Sequence, residues 1–388
     1  MKSKGIYLML IAVLGIMALG LVMLSSTAAY APDSHGDSTV FLRKQATWLG
    51  IGLVVCVVVS LLDYHFWQKT WPIWLGVSIV LLVLCFVPPI GMKLNGSHRW
   101  IRLGPMVFQP SELAKLGAIS FLASWFAKYE AEAGQFLKGF VYPLGVVGIM
   151  LVLIVKETDL GSTMLIAMTS FAIMFVGGTN SKILIPLTIL GVVGVLVAAG
   201  HMEERQGRLL AFMDLEKYKE TDGLQQWAGL TALGSGGVDG LGLGNGRQKL
   251  LYLPYAHTDF ILPVIGEELG LRATLAIVFA YVAIIVSGLF ISISAADRFG
   301  MLMGFGFVMV LAFQALVNIG VTTAMLPNKG LPLPFVSYGG SNLGFCLLAI
   351  GVLISIHRHA VEKEVLAPAM MPQQMLAART RRAKTIRI

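Results

Sequence analysis

Apolar residues along this chain gather in long runs, and polar residues are swept into the gaps between them. The runs fall at about 5–24, 44–62, 72–90, 113–128, 139–155, 160–177, 182–200, 270–292, 300–320 and 342–357. A helix needs roughly 17–25 apolar residues to cross a bilayer, so the pattern predicts an all-α polytopic membrane protein with about ten transmembrane helices. The run at 113–128 is the shortest and needs its flanks to span. Residues 201–269, between spans 7 and 8, form one large loop, far longer than two helices need for a connection. That excess makes it the expected seat of polar chemistry. Leu326-Pro327-Asn328-Lys329-Gly330-Leu331-Pro332-Leu333-Pro334-Phe335 cannot continue a helix, because proline lacks the amide donor and biases the residue before it towards extended backbone. Non-helical backbone this apolar, followed by Ser337-Tyr338-Gly339-Gly340-Ser341, is tolerated only inside protein or along a wet cavity. The chain reads as one membrane domain over 1–357 and a basic tail over 358–388, with no tandem repeat and no soluble domain.

Composition sharpens this picture. Charged residues make up 13% of the chain and hydrophobic ones 56%, whereas soluble domains are about 25% charged. Cys56, Cys85 and Cys346 lie in apolar runs and read as buried hydrophobes. The first run follows Lys2 and Lys4 and ends near Ser26-Thr27-Ala28-Ala29, as a signal peptide would, but its apolar stretch is longer than a signal's usual core, which favours a retained helix. Lys2, Lys4, Lys69, Lys128, Lys138, Lys182, Arg298 and the tail fall on one side if every run crosses. The positive-inside rule makes that side cytoplasmic and, with an even span count, puts both termini there. The tail, with Arg379, Arg381, Arg382, Lys384 and Arg387, reads as an anchor near anionic lipid and not as a nucleic-acid site. Lys93, Arg99 and Arg102 break the rule by falling on the outer side; they read either as anchors to lipid phosphates or as a receptor for an anionic head group.

Candidate chemistry concentrates on that outer side. Gly234 to Gly246 is a glycine-rich stretch followed by Arg247 and Lys249, so it reads as a flexible loop whose amides and lysine could meet an anion; it lacks a phosphate-loop signature. In His257-Thr258-Asp259-Phe260, Asp259 is either a helix N-cap or a partly desolvated general base. Glu267 and Glu268 read as a polar end to the next span, or as help in binding a cation. Trp100 is an interfacial aromatic or a sugar platform, and Ser111 a plausible N-cap, with Glu112 in the first turn and Lys115 one turn on. Lys156-Glu157-Thr158-Asp159 marks a tight corner where Lys156 is expected to offset Glu157 or Asp159.

Taken in order, Gly96-Ser97-His98-Arg99-Trp100-Ile101, Gln109 to Lys115, Asp159-Leu160-Gly161, Arg208-Leu209, Gly234 to Gly246, Tyr252-Leu253-Pro254, His257 to Phe260, Gly266 to Gly270 and Leu331 to Ser341 resemble the SEDS family of shape, elongation, division and sporulation proteins, over nearly the whole chain. Ala256, Ile265-Gly266 and Lys329-Gly330 are more similar to its division and sporulation members than to its elongation member. The chain departs from the family pattern at Thr158 (usually Pro), Trp227 (usually small), Gly246 (usually Ser) and Tyr255 (usually Glu). The resemblance implies a peptidoglycan glycosyltransferase that polymerises lipid II into glycan strands during division, at the outer face of the bacterial inner membrane. It implies Asp259 as the catalytic residue, and a class B penicillin-binding protein and other divisome proteins as partners. On that reading Arg99, Arg102, Lys249 and Arg208 stabilise the diphosphate, and Trp100, His257 and Ser337 shape the substrate site. Glu112, Lys115, Asp159, Glu267 and Glu268 support it, and a divalent cation, magnesium or manganese, is a candidate cofactor. The rival reading is a lipid-precursor flippase or other transporter. Such proteins usually carry ionisable residues at mid-span and paired broken helices; here the charges lie mainly at span ends and in loops. A passive scaffold is the third class.

Overall fold

The computed structural model describes residues 2–28, 39–94, 97–104, 106–200, 203–250, 253 and 256–369. Of the basic tail expected over 358–388, residues 358–369 continue α12, and residues 370–388 lie outside the described residues, as does Tyr255. Helices α1 (Lys2–Ala28), α2 (Thr39–Leu61) and α3 (His65–Leu84) come first. A three-stranded antiparallel sheet follows, β1 (Gly91–Leu94), β2 (Ser97–Leu103) and β3 (Met106–Phe108), in that order. Then come α4 (Pro110–Lys128), α5 (Tyr142–Lys156, entered through a π-helical turn, Leu137–Val141), α6 (Leu160–Gly177) and α7 (Ser181–Gly200). The long polar stretch holds α8 (Glu203–Met213) and α9 (Leu224–Gly236), and the chain closes with α10 (Ile261–Ile293), α11 (Arg298–Thr322) and α12 (Gly340–Ala369).

Helices occupy every expected apolar run. Eight of those among the described residues are long and apolar enough to cross a membrane by length and composition, so the chain is a multi-pass membrane protein. The weak run at 113–128 is α4, the most enclosed helix of the bundle: nearly every residue from Pro110 to Phe126 is buried, against α3, α6 and α11. A helix wrapped by protein has no need of a lipid-soluble surface, which explains its modest hydropathy.

Two expectations are corrected here. The outer stretch at 91–108 is a small sheet. Residues 261–269, assigned to the loop, are the first turns of α10, which breaks at Gly270 (φ 76°, ψ −174°) before continuing. The break is built around close packing: a methyl on Gly270 would lie 2.4 Å from Val238 O and 2.5 Å from Gly240 N. Only a residue without Cβ fits there.

At the far end of α10 a polar clasp joins three elements. The Tyr64 hydroxyl donates to Asp297, whose carboxylate also meets His65 Nε2 at 2.8 Å; His65 Nδ1 lies 2.7 Å from Asp63. From α12, Ser355 Oγ donates to Leu62 O at 2.5 Å, Arg358 to Leu61 O at 2.7 Å, and Lys363 to Ala296 O at 2.7 Å.

Helix α9 lies against the start of α10 so closely that a methyl on Gly236 would fall 1.9 Å from Gly266 O, whereas one on Gly234, exposed on the same helix, meets nothing within 4 Å. Gly236→Ala is therefore expected to lower thermal stability in detergent by about 1–3 kcal/mol. Gly234→Ala should be neutral or stabilising by about 0.5–1 kcal/mol. Melting curves of the two variants side by side check both signs.

Candidate active site

Just before α10 the chain makes a turn, and three successive carbonyls of that turn are each held by a donor. Tyr338 N donates to His257 O at 3.0 Å, Ser337 Oγ to Thr258 O at 2.5 Å, and Asn318 Nδ2 to Asp259 O at 2.7 Å. The same Asn318 amide donates to Leu331 O at 2.7 Å, and Gln314, one turn earlier on α11, donates to Pro332 O at 2.8 Å. The turn and the proline-rich segment are thus bolted to α11 and to each other. Asp259 is half-buried in this setting. The N-cap of α10 is Phe260, without a side-chain cap, so the Asp259 carboxylate is not a helix cap. It lies against Gly330, where a methyl would come within 2.5 Å of Oδ2.

Desolvation pushes the Asp259 carboxyl up to about 6; the Arg99 guanidinium opposes the rise and the Asp159 carboxylate adds to it. Asp159 caps α6. It accepts from Ser162 N at 3.0 Å, Ser162 Oγ at 2.7 Å and Gln109 Nε2 at 2.8 Å, and Ser111 Oγ stands 3.5 Å away. Its neighbour Glu157 is fully buried with both carboxylate oxygens lacking a hydrogen-bond donor of ordinary strength, and burial, reinforced by Asp159, pushes it up to about 8. Lys156 is exposed and forms no ion pair with either acid among the described residues, so the expected pairing at this corner does not occur. The corner turns through Thr158 at φ 63°, a value proline cannot take, and Thr158 Oγ1 donates to Ser97 Oγ at 2.9 Å.

Side chains alternate along β2. Ser97 and the buried Ile101 share the face that meets this corner, and Arg99 sits between them with its Nε buried and unpartnered. Trp100, half-buried, and Arg102, exposed, occupy the opposite face. Arg99 lies within electrostatic reach of Asp259 and keeps its guanidinium carbon 6.0 Å from the Trp100 ring centre, while Arg102 stays exposed.

The glycine-rich loop is an anion cradle, but the anions are the chain's own. Glu268 accepts from Gly244 N at 2.8 Å, and Glu267 from Arg247 N at 2.8 Å and Gln248 N at 3.2 Å. Gly237, Gly240, Gly242 and Gly244 all take positive φ to aim these amides. Lys249 is buried, donating to Glu268 at 2.6 Å, Ser26 Oγ at 2.8 Å and Gly244 O at 2.8 Å. Lys249 is consequently a structural counter-ion, and the expectation that it meets a diphosphate is corrected.

The remaining candidates separate cleanly. Glu112 and Lys115 pair at 2.6 Å inside the bundle, with Asn342 beside Glu112 and Gln314 Oε1 3.4 Å from Lys115; the N-cap of α4 is Gln109 and not Ser111. His257 is buried, its ring 4.8 Å from that of Phe41. Ser337 spends its hydroxyl on Thr258 O and Leu333 N, so both residues shape the turn instead of lining it. Arg208 is exposed on α8, which packs beside α7. Among the described residues no three His, Cys, Asp or Glu side chains are arranged to hold a metal ion, and Asp159 already spends its oxygens on four donors. Sequence reasoning missed Gln109, Gln314, Asn318 and Gly330; two amides four residues apart in an apolar helix were the available signal for the middle pair.

A family profile described as cell cycle protein, covering FtsW, RodA and SpoVE, matches residues 7–362. A probable peptidoglycan glycosyltransferase FtsW of Geobacter metallireducens is 35% identical over 89% of this chain and 93% of its own length. Stage V sporulation protein E of Bacillus subtilis is 33% identical over 92% of this chain and 98% of its own. Among solved structures, a chain of a peptidoglycan synthase complex, studied for the coordination of polymerization and crosslinking, superposes with a TM-score of 0.76 at 28% identity, covering 91% of this chain and 97% of that one. The crystal structure of the rod shape determining protein RodA of Thermus thermophilus gives 0.67 at 27% identity, covering 91% and 96%.

Two outcomes follow from the geometry. Gly330→Ala places a methyl on the acid and is expected to cost on the order of tenfold or more in any activity that uses Asp259, with the melting temperature little changed, since loss of about 1 Å in placement already costs heavily. Lys249→Met or Glu268→Gln alone should destabilise by about 3–5 kcal/mol by leaving a buried charge or acceptor unpaired, while replacing both together with apolar residues should recover much of the loss. A double-mutant cycle on melting in detergent measures this.

Proposed function

The chain belongs to the FtsW, RodA and SpoVE family of cell cycle proteins, and from that premise we propose that it is a peptidoglycan glycosyltransferase that polymerises lipid II at the outer face of the bacterial inner membrane during division, with both termini in the cytoplasm. The observation that carries this reading is Asp259: a half-buried carboxyl, pushed up to about 6, seated against a glycine, with the Arg99 charge within electrostatic reach. A base with its pKa near the working pH balances being ionised against proton affinity.

In this reading the acceptor's 4-hydroxyl oxygen attacks the donor's anomeric carbon with inversion. The bond from that carbon to the diphosphate oxygen breaks, its electron pair leaving on the lipid diphosphate, and the hydroxyl proton passes to Asp259. Arg99, its Nε buried and without a protein partner, is the cation placed to steady the departing charge. Trp100 and Arg102, on the other face of β2, remain available to the sugar or lipid head groups at the surface. The transpeptidase partner, a class B penicillin-binding protein, would receive the strands for crosslinking, in keeping with the likeness to a chain of a synthase complex.

The test uses purified protein with its transpeptidase partner and lipid II. Asp259→Asn is expected to reduce glycan formation by about 10²-fold or more while the protein stays folded. In the unaltered protein the rate should fall as the pH drops through about 6, because protonation removes the base. Glycan production by Asp259→Asn at the unaltered rate would remove Asp259 from the reaction. Movement of fluorescent lipid II across vesicles without polymer would instead favour a flippase.

A further inference from the structure

No residue of α11 touches the reacting atoms, yet α11 holds the carbonyl of the acid-bearing residue. Asn318 is 1% exposed, and its single amide nitrogen donates to Asp259 O at 2.7 Å and to Leu331 O at 2.7 Å. These two carbonyls belong to the turn that presents the acid and to the residue next to Gly330, the residue the acid lies against. One planar amide thus ties the carbonyl of Asp259 to that of the residue following Gly330, where an added methyl would meet Oδ2. The arrangement has a cost: Asn318 Oδ1 is buried and accepts nothing. An unmet buried acceptor is unfavourable by about 1–3 kcal/mol, and an apolar residue here would relieve it only by stranding the carbonyls of Asp259 and Leu331.

We propose that Asn318 is a positioning residue for the transfer reaction: by clamping the carbonyls of Asp259 and Leu331 together it fixes where the acid's oxygens stand relative to Gly330 and Arg99. It is not a catalytic residue, since it touches the backbone and not the reacting atoms. The inference rests on Asp259 being the base. Ser337 and Tyr338 hold the two preceding carbonyls from the other side, so loss of Asn318 frees only the last link of the turn, the one that bears the acid.

The experiment compares Asn318→Leu with Thr322→Val, one turn along α11. The Thr322 hydroxyl is buried but bonds only to its own helix, at Asn318 O and Ile319 O. With lipid II as substrate and the transpeptidase partner present, Asn318→Leu is expected to lower kcat by about 100-fold with KM little changed, as a small misplacement of a reacting group does. The acid limb of its pH profile should also move, because the acid shifts relative to Arg99 and Asp159. Thr322→Val should keep both kcat and the acid limb. Asn318→Ser, which retains one donor, should fall between and serves if the leucine variant does not fold. Asn318→Leu or Asn318→Ser with unaltered kcat and pH profile overturns the proposal, as does an equal loss in Thr322→Val that tracks melting temperature. Full activity in Asp259→Asn would instead sink the base assignment, and so separates the two failures.

Discussion

Backbone enclosed by protein has no water to bond with, and the stretch from Leu326 to Gly339, buried over most of 331–337, is where that constraint bears hardest. Its prolines forbid the helix that would satisfy the chain internally. Side-chain amides answer instead. Gln226 donates to Leu326 O, Asn318 to Leu331 O, Gln314 to Pro332 O and Gln45 to Ser337 O. Four amides from three elements, α2, α9 and α11, thereby convert an irregular segment into a fixed wall, and the turn with Asp259 leans on that wall. The acid's position is set by hydrogen bonds to main chain, with ion pairs kept elsewhere.

Charge is handled by a similar division of labour. The strong pairs, Glu112 with Lys115 and Glu268 with Lys249, are buried, neutralised and structural. Glu157 and Asp259, without an ion pair among the described residues, both feel the Arg99 guanidinium. Buried pairs add little net stability but strongly penalise misfolded alternatives that would separate them.

Much of this was legible from residue order. Long apolar runs announced the helices because lipid demands continuous hydrophobicity, and Asp259 stood out because few acids lie in so apolar a neighbourhood. The sheet at 91–108 was missed because Arg99 and Arg102 drew attention to charge, although Asn95-Gly96 between two short runs is a hairpin signal. Lys249 was misjudged because a lysine after glycines looks like an anion site; its true partner, Glu268, is nineteen residues on and becomes a neighbour only when α10 folds against the loop. Asn318 was invisible for a related reason: its importance lies in two carbonyls, and every residue has one.

The clasp of Tyr64, His65 and Asp297, with its ties from α12, gives the bundle a mechanical asymmetry. Asp259 and Asp297 stand at opposite ends of α10, so the brace sits a full helix length from the acid. The helix α10 is thus held at both ends by different means, a carboxylate-centred clasp at Asp297 and amide-to-carbonyl bonds at the Asp259 turn, so a change confined to the clasp reaches the acid only through the length of α10.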